Sequence, residues 1–158
     1  MINNYIKKNN PSHPHFFPYL FEYYSAMILS KKLNKNFFVY NDIKDIKGSP
    51  YTFPKRDKGI DLIDQSLNII GQCKYYSNNK YITYGNLSTF LASDKLIGKK
   101  FDFYLIRTED SKIDNTVKKI IDRGDMTDIC LSKKEFINYA SKVLHLWRFK
   151  TPIRALKK

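Results

Sequence analysis

The sequence predicts an α/β fold in which a mixed central sheet is flanked by helices. Apolar runs of strand length alternate with amphipathic segments of helical length, in the order α, β, β, β, α, β, α, β, α. With 158 residues, 42% of them hydrophobic, the chain can bury one core without disulfides. Six glycines and six prolines are too few for a disordered or collagen-like polymer, so one globular domain is expected.

The chain begins with an arm and a helix. Residues 1–16 lack apolar periodicity and include two prolines, which is typical of a loosely held arm. The segment Phe17–Leu33 has helical length, and Pro18 suits a first helical turn. The run NFFVYND predicts a short strand, and the segment after it, which contains prolines and glycines, predicts an irregular connection.

Two β-prone runs, GIDLID and LNIIGQCKYY, predict a hairpin around Gln65 and Ser66. A two-residue turn would place Asp61 diagonal to Gln72, whereas a four-residue loop would place it directly opposite. In either register Asp61, Gln72 and Lys74 share one face, because residues two apart on a strand point to the same side. The hairpin therefore gathers an acid, an amide and an amine.

The second half of the chain adds two strands and three helices. NLSTFLASDKLIG predicts an amphipathic helix, and the continuous apolar run FDFYLIRT predicts a buried central strand. Asp114 or Asn115 can cap a short helix over TVKKIID, and DICL predicts a last strand. Ser132 and Glu135 form a capping box ahead of the apolar positions of the last helix.

Charge and cysteine usage limit the classes of partner and compartment. Lysines and arginines number 28 against 15 acids, and the net charge of +13 favours polyanions, nucleic acid first. No apolar run reaches the roughly 18 to 20 residues of a membrane span, and residues 1–10 are too polar for a signal peptide. Cys73 and Cys130 show neither zinc-finger nor disulfide-framework spacing. We expect an intracellular protein with no membrane partner.

Glu22 occupies an unusual position on the first helix. On a helical wheel it lies beside Ala26 and between Leu29 and Leu33, in an apolar stripe. A carboxylate there is costly unless a cation meets it. A bound metal or a lysine would supply that cation, and a partly exposed helix edge would explain Glu22 without either.

These residues together resemble the PD-(D/E)XK nuclease superfamily. The resemblance consists of Glu22 on a first helix, the string GID at 59–61 and the string QCK at 72–74. GID and QCKYY resemble most closely the Mrr-like restriction endonuclease group, in which Gln replaces the usual acid. FEYYSAMILS, YNDI, DKGIDLID and IIGQCKYY also resemble the nuclease-like domain at the start of some helicase-like proteins of large DNA viruses. The resemblance implies a restriction-endonuclease-like fold.

The resemblance also implies a Mg²⁺-dependent endonuclease that hydrolyses phosphodiester bonds of DNA, with Mn²⁺ as a substitute metal. Asp61, Gln72 and the Cys73 carbonyl oxygen would bind the metal, and Glu22 would help to hold it or its water. Lys74 would position the attacking water, favour its deprotonation and neutralise charge on the phosphate.

Basic and aromatic residues around the hairpin predict contacts with nucleic acid. Cationic side chains contact phosphates, and exposed tyrosines stack on bases. The tyrosines at positions 75, 76, 81 and 84 have two interpretations, the lining of a nucleic-acid groove or ordinary half-buried packing. The predicted contact residues are Lys55, Arg56, Lys58, Tyr76, Lys80, Arg148 and Lys150.

The predicted organisation is the flexible arm over 1–16, a nuclease-like domain over 17–144, and a basic tail or linker over 145–158. Two alternatives to the nuclease remain at this point. One is a catalytically inactive DNA-binding module of the same fold, linked to a helicase, and the other is a basic RNA-binding protein. The expected partner is double-stranded DNA, a dimer is compatible with the sequence, and a viral chain would act in the host cytoplasm, the virion or the virus factory.

Overall fold

A computed structural model describes residues 15–43, 49, 51–54, 59–76 and 79–150. For residues 146–150 it describes the backbone alone. The predictions for 1–14, 55–58 and 151–158 lie outside the described residues. The helices are α1 (Phe16–Leu33), α2 (Tyr84–Leu91), α3 (Ser93–Ile97), α4 (Asn115–Asp122) and α5 (Lys133–Lys150). The strands are β1 (Phe37–Val39), β2 (Leu62–Asp64), β3 (Ile69–Lys74), β4 (Tyr81–Ile82), β5 (Asp102–Thr108), β6 (Lys112–Ile113) and β7 (Thr127–Leu131).

Five strands form a mixed central sheet in the order β1-β2-β3-β5-β7. β1, β2 and β3 are antiparallel, whereas β3, β5 and β7 are parallel to one another. One hydrophobic cluster packs α1 and α5 on one face of the sheet, and a second packs α2, α3 and α4 on the other. The predicted α/β class is confirmed, and the FDFYLIRT strand lies inside the sheet, between β3 and β7. Across the part of the chain that is described, no helix is both long and apolar enough to cross a bilayer.

The register between β2 and β3 follows the four-residue loop rather than the two-residue turn. Leu62 pairs with Gly71, and residues 65–68 form the loop. The regular pairing ends at Leu62 and Gly71. Asp61, directly before β2, donates its N–H to Gly71 O and accepts the Cys73 N–H through its carboxylate, so it lies beside residues 71–73 of β3.

Asp64 organises that loop. Its carboxylate accepts the main-chain N–H groups of Ser66, Asn68 and Ile69 at 3.2, 2.8 and 2.7 Å. Leu67 adopts a positive φ of 59°, a conformation that branched side chains rarely take. A buried carboxylate with three donors therefore selects a loop that turn propensities alone do not favour.

The caps of the later helices match the sequence in part. Asp114 caps α4 by accepting the Val117 N–H at 2.8 Å, and Ser132 Oγ accepts the Glu135 N–H at 3.3 Å at the start of α5. The predicted helix over NLSTFLASDKLIG is divided at Ala92 into α2 and α3. An additional parallel ribbon, formed by β4 and β6, was not predicted.

Candidate active site

Asp61 is held at three points just before β2. Its N–H donates to Gly71 O at 2.9 Å, and its carbonyl oxygen accepts the Tyr40 N–H at 2.8 Å. Its carboxylate Oδ2 accepts the Cys73 N–H at 2.7 Å. With 9% of its surface exposed, Asp61 presents a fixed carboxylate against the end of β3. A fixed anion near the protein interior favours a cationic partner.

Gln72, the residue directly before Cys73, carries a buried amide oxygen. The residue is 6% exposed, and within the described residues its Oε1 atom accepts no hydrogen bond. Leaving a buried acceptor unpaired costs about 1–3 kcal/mol, so such atoms usually have a function or a missing partner. A hard divalent cation, which takes carboxylate and amide oxygens as ligands, would satisfy it.

Gly59 makes room for the Gln72 side chain. It adopts a φ of 84°, in the left-handed region that favours glycine. A Cβ atom at Gly59 would lie 3.2 Å from Gln72 Nε2 and 3.1 Å from Phe90 Cβ. Because both contacts are tighter than ordinary van der Waals packing, a side chain at Gly59 would press on the amide of Gln72.

We expect Gly59→Ala to destabilise the fold more than Gly98→Ala does. Gly98 has a similar φ of 80°, but a Cβ there meets nothing within 4 Å. Both variants therefore carry the conformational strain of about 1–2 kcal/mol, and Gly59→Ala adds an overpacking term of about 1 kcal/mol or more. Urea unfolding of both variants measures the difference, and equal losses of stability would contradict the packing role of Gly59.

Lys74 lies two residues beyond Gln72 and on the same face of β3. Its side chain is half-buried. Among the residues described, its ammonium makes no hydrogen bond and no ion pair. The amine is thus available to a ligand at the end of the hairpin.

Arg107 is the neighbour of Lys74 on β5, and its charge is already paired. Asp128 on β7 accepts from Arg107 Nε at 2.9 Å and from Nη2 at 2.8 Å. This hydrogen-bonded carboxylate raises the pKa of the Arg107 guanidinium. Sequence reasoning missed the pair, since its only signal was an arginine at the end of an apolar run.

Glu22 approaches the same end of the hairpin from α1. Its side chain is half-buried, and Cys73 packs against the cluster that contains α1. Burial, followed by the nearby carboxylates of Asp61 and Glu22, raises the pKa of the Cys73 thiol well above its ordinary value. The thiol therefore stays protonated at neutral pH, which disfavours a nucleophilic role. Both acids lie close to Cys73, Asp61 at its backbone and Glu22 on the helix side.

The candidate ligands around the end of the hairpin are oxygen donors, the type that a hard cation takes. Over the described ranges, no group of three or more His, Cys, Asp or Glu side chains is placed to hold a metal ion. The candidate donors are of mixed type instead: the carboxylates of Asp61 and Glu22, the unpaired amide oxygen of Gln72, and the main-chain carbonyl of Cys73. Mg²⁺ prefers such oxygen ligands and usually keeps several waters, so a full protein cage is not needed.

The predicted nucleic-acid residues are placed unevenly. The Lys80 ammonium lies 5.0 Å from the centroid of the Tyr76 ring, and burial raises the pKa of the Tyr76 hydroxyl. Tyr75 packs in the core against Phe21 and Phe136, with ring centroids 5.5 and 5.1 Å away. Lys55, Arg56 and Lys58 lie outside the described residues, as do the side chains of Arg148 and Lys150 at the end of α5.

Comparison with known protein families gives one finding. A family model for restriction endonucleases, Mrr_cat_2, matches residues 29–141, more than half of the chain. The matched range contains Asp61, Gln72 and Lys74 and begins after Glu22. Searches of curated proteins and of solved structures give no match.

Proposed function

Because the chain belongs to the Mrr-like restriction endonuclease family, we propose that it is a Mg²⁺-dependent endonuclease that hydrolyses phosphodiester bonds of DNA. The observation that carries the proposal is the juxtaposition of two oxygen donors. The carboxylate of Asp61 is fixed by the N–H of Cys73, the residue directly after Gln72, and the buried Oε1 of Gln72 has no partner in the described structure. Family membership supports the nuclease class, and this pair supports metal dependence.

The proposed metal ligands are Asp61, Gln72 and the carbonyl oxygen of Cys73, with Glu22 holding the metal or its water. When bound, a divalent cation supplies charge that polarises the scissile phosphate and lowers the pKa of water. Asp61 is suited to its part because three hydrogen bonds fix its position before any ligand arrives. Gln72 adds an oxygen without adding charge, so Glu22 supplies the second negative charge of the site.

Lys74 is the proposed positioning and charge-neutralising amine. Its ammonium breaks no ion pair with a described residue when it turns to a substrate. It donates hydrogen bonds to the attacking water and to a phosphate oxygen, and so stabilises the charge that develops in the transition state. The neighbouring cation, Arg107, is already hydrogen-bonded to Asp128. Lys74 is therefore the proposed donor to the substrate.

The proposed substrate is DNA, which the chain attracts through its net charge of +13. Lys55, Arg56 and Lys58 precede Asp61 in sequence, and the Tyr76–Lys80 pair follows Lys74. These residues, with Arg148 and Lys150 at the end of α5, are proposed to contact DNA phosphates and bases. A linked helicase and a dimer stay predictions from the sequence.

The test of this proposal is cleavage of supercoiled plasmid DNA by the purified chain. Nicked or linear products are expected with Mg²⁺ or Mn²⁺, and none is expected with excess chelator. An absence of product with either metal would contradict catalysis. If DNA binding persisted in that case, the second candidate would hold, a DNA-binding module without activity, which the neutral Gln72 favours. Preferential displacement of the bound DNA by RNA would favour the RNA-binding alternative.

A further inference from the structure

The ribbon of β4 and β6 presents one apolar and one polar face. Tyr81 pairs with Lys112, and Ile82 pairs with Ile113. Ile82 is fully buried in the cluster beneath α2 and α4, whereas Tyr81 is 54% exposed and Lys112 is exposed. Since successive side chains on a strand alternate between faces, Tyr81 and Lys112 stand on the outer face of the ribbon.

Arg107 ties this ribbon to the end of the hairpin. Arg107 is the partner of Lys74 across β3 and β5. Its Nη1 atom donates to Ser111 O at 2.7 Å, directly before β6. The main chain also joins the two places, because only a short segment separates Lys74 from Tyr81. The outer face of the ribbon thus lies at the same end of the sheet as the candidate active site.

Tyrosine rings and lysine ammonium groups are paired on this part of the surface. The Lys80 ammonium lies 5.0 Å from the Tyr76 ring centroid, and the Lys112 ammonium lies 5.9 Å from that of Tyr81. We call Tyr76, Lys80, Tyr81 and Lys112 the ribbon surface. Rings that stack on bases, next to cations that contact phosphates, are the combination that binds unpaired nucleic acid.

Glu109, Asp110 and Asp114 are the acids nearest to Lys112 in sequence, and each is directed to the start of a helix. The Asp114 carboxylate accepts the Val117 N–H at 2.8 Å at the start of α4. Glu109 accepts the Lys133 N–H at 2.9 Å at the start of α5. Asp110 forms an ion pair with the Lys133 ammonium. Both carboxylates are therefore engaged by α5, and the ribbon surface keeps its positive charge.

We propose that the ribbon surface binds unpaired bases of DNA, so that the preferred substrate has a single-stranded segment beside the scissile bond. The inference rests on the proposed function, because it takes DNA as the ligand. In a duplex the faces of the bases are covered by their neighbours in the stack, whereas unpaired bases expose a face to an aromatic ring. The exposed ring of Tyr81 therefore contributes to affinity for single strands and adds little for duplexes.

The chain contains a matched control pair at the other end of the sheet. Tyr51 is 39% exposed, and the Lys99 ammonium lies 5.8 Å from its ring centroid. Lys99 also donates to Asn68 Oδ1 at 3.0 Å, in the loop that precedes β3. Asn68 directly precedes β3, whereas Gln72 and Lys74 lie four and six residues further along the strand, about 13 and 20 Å away. The control pair also combines a tyrosine ring with a lysine ammonium, but it lies away from the candidate active site.

The experiment measures fluorescence anisotropy of a labelled single-stranded oligonucleotide and of its duplex, with chelator present so that no cleavage occurs. Tyr81→Ala is expected to raise Kd for the single strand by about tenfold and to change Kd for the duplex by less than about twofold. Tyr81→Phe should retain single-strand affinity, because the ring is kept. Tyr51→Ala should leave both constants unchanged.

Equal losses on both DNA forms, no loss on either, or no single-strand binding by the wild type would each overturn the inference. These outcomes are distinguishable from failure of the proposed function. Plasmid cleavage that persists in Tyr81→Ala without a change in single-strand binding would overturn the ribbon surface alone. Single-strand binding that depends on Tyr81, in a chain that cuts no DNA with Mg²⁺ or Mn²⁺, would support the ribbon surface and overturn the nuclease.

Discussion

Lys74→Ala is expected to lower the rate of DNA cleavage by about a hundredfold or more while most DNA affinity remains. The ammonium is the proposed donor to the attacking water and to the charge that develops on the phosphate, and loss of one such donor typically has an effect of this size. Affinity is spread over many cations in a chain of net charge +13, so removal of one lysine weakens binding only slightly.

The measurement for Lys74 compares single-turnover cleavage with DNA binding in the same preparations. Lys95→Ala is the control, because Lys95 is an exposed lysine on α3, away from the hairpin. The control should cut like the wild type. If Lys74→Ala cut DNA as fast as Lys95→Ala, Lys74 would have no catalytic role.

Asp61→Asn is expected to weaken Mn²⁺ binding by more than about tenfold and to lower cleavage in parallel. The variant keeps an oxygen that can accept the Cys73 N–H, which Asp61 accepts at 2.7 Å, so the local structure is expected to persist. What it removes is the negative charge beside Cys73. Isothermal titration with Mn²⁺ measures the affinity, and thermal melting reports on the fold.

Asp64→Asn is the matched control for Asp61→Asn. Asp64 is also a buried aspartate of the hairpin, but its carboxylate accepts three main-chain N–H groups of the loop. Its replacement is expected to reduce stability by about 1–2 kcal/mol and to leave Mn²⁺ affinity unchanged. Equal effects of the two variants on Mn²⁺ affinity would contradict a metal site at Asp61.

The hairpin shows which features of the candidate site could be predicted from the sequence and which could not. The alternation of Gln72, Cys73 and Lys74 predicts which side chains share a face, because strand geometry fixes that alternation. The register stayed open between two loops, because it depends on the Asp64 carboxylate and its three donors. Nor does a leucine at position 67 signal a positive φ, since glycine or asparagine is the usual residue there.

Two other features have no readable sequence signal. Strands as short as β4 and β6 show no period-two pattern, so the ribbon that carries Tyr81 could not be predicted. The contact of Gly59 with Gln72 joins residues that are distant in sequence, and only the folded chain brings them together. By contrast, α5 and the buried strand β5 follow from a cap and an apolar run, which are local signals.

The proposed metal site requires that Asp61 and Gln72 share one divalent cation. Crystals of the chain soaked in Mn²⁺ test it most directly, because anomalous scattering locates the metal without a substrate. We predict a peak bound by a carboxylate oxygen of Asp61 and by Gln72 Oε1, at about 2.0–2.2 Å from each. A metal bound elsewhere, or no peak between these two side chains, would contradict it.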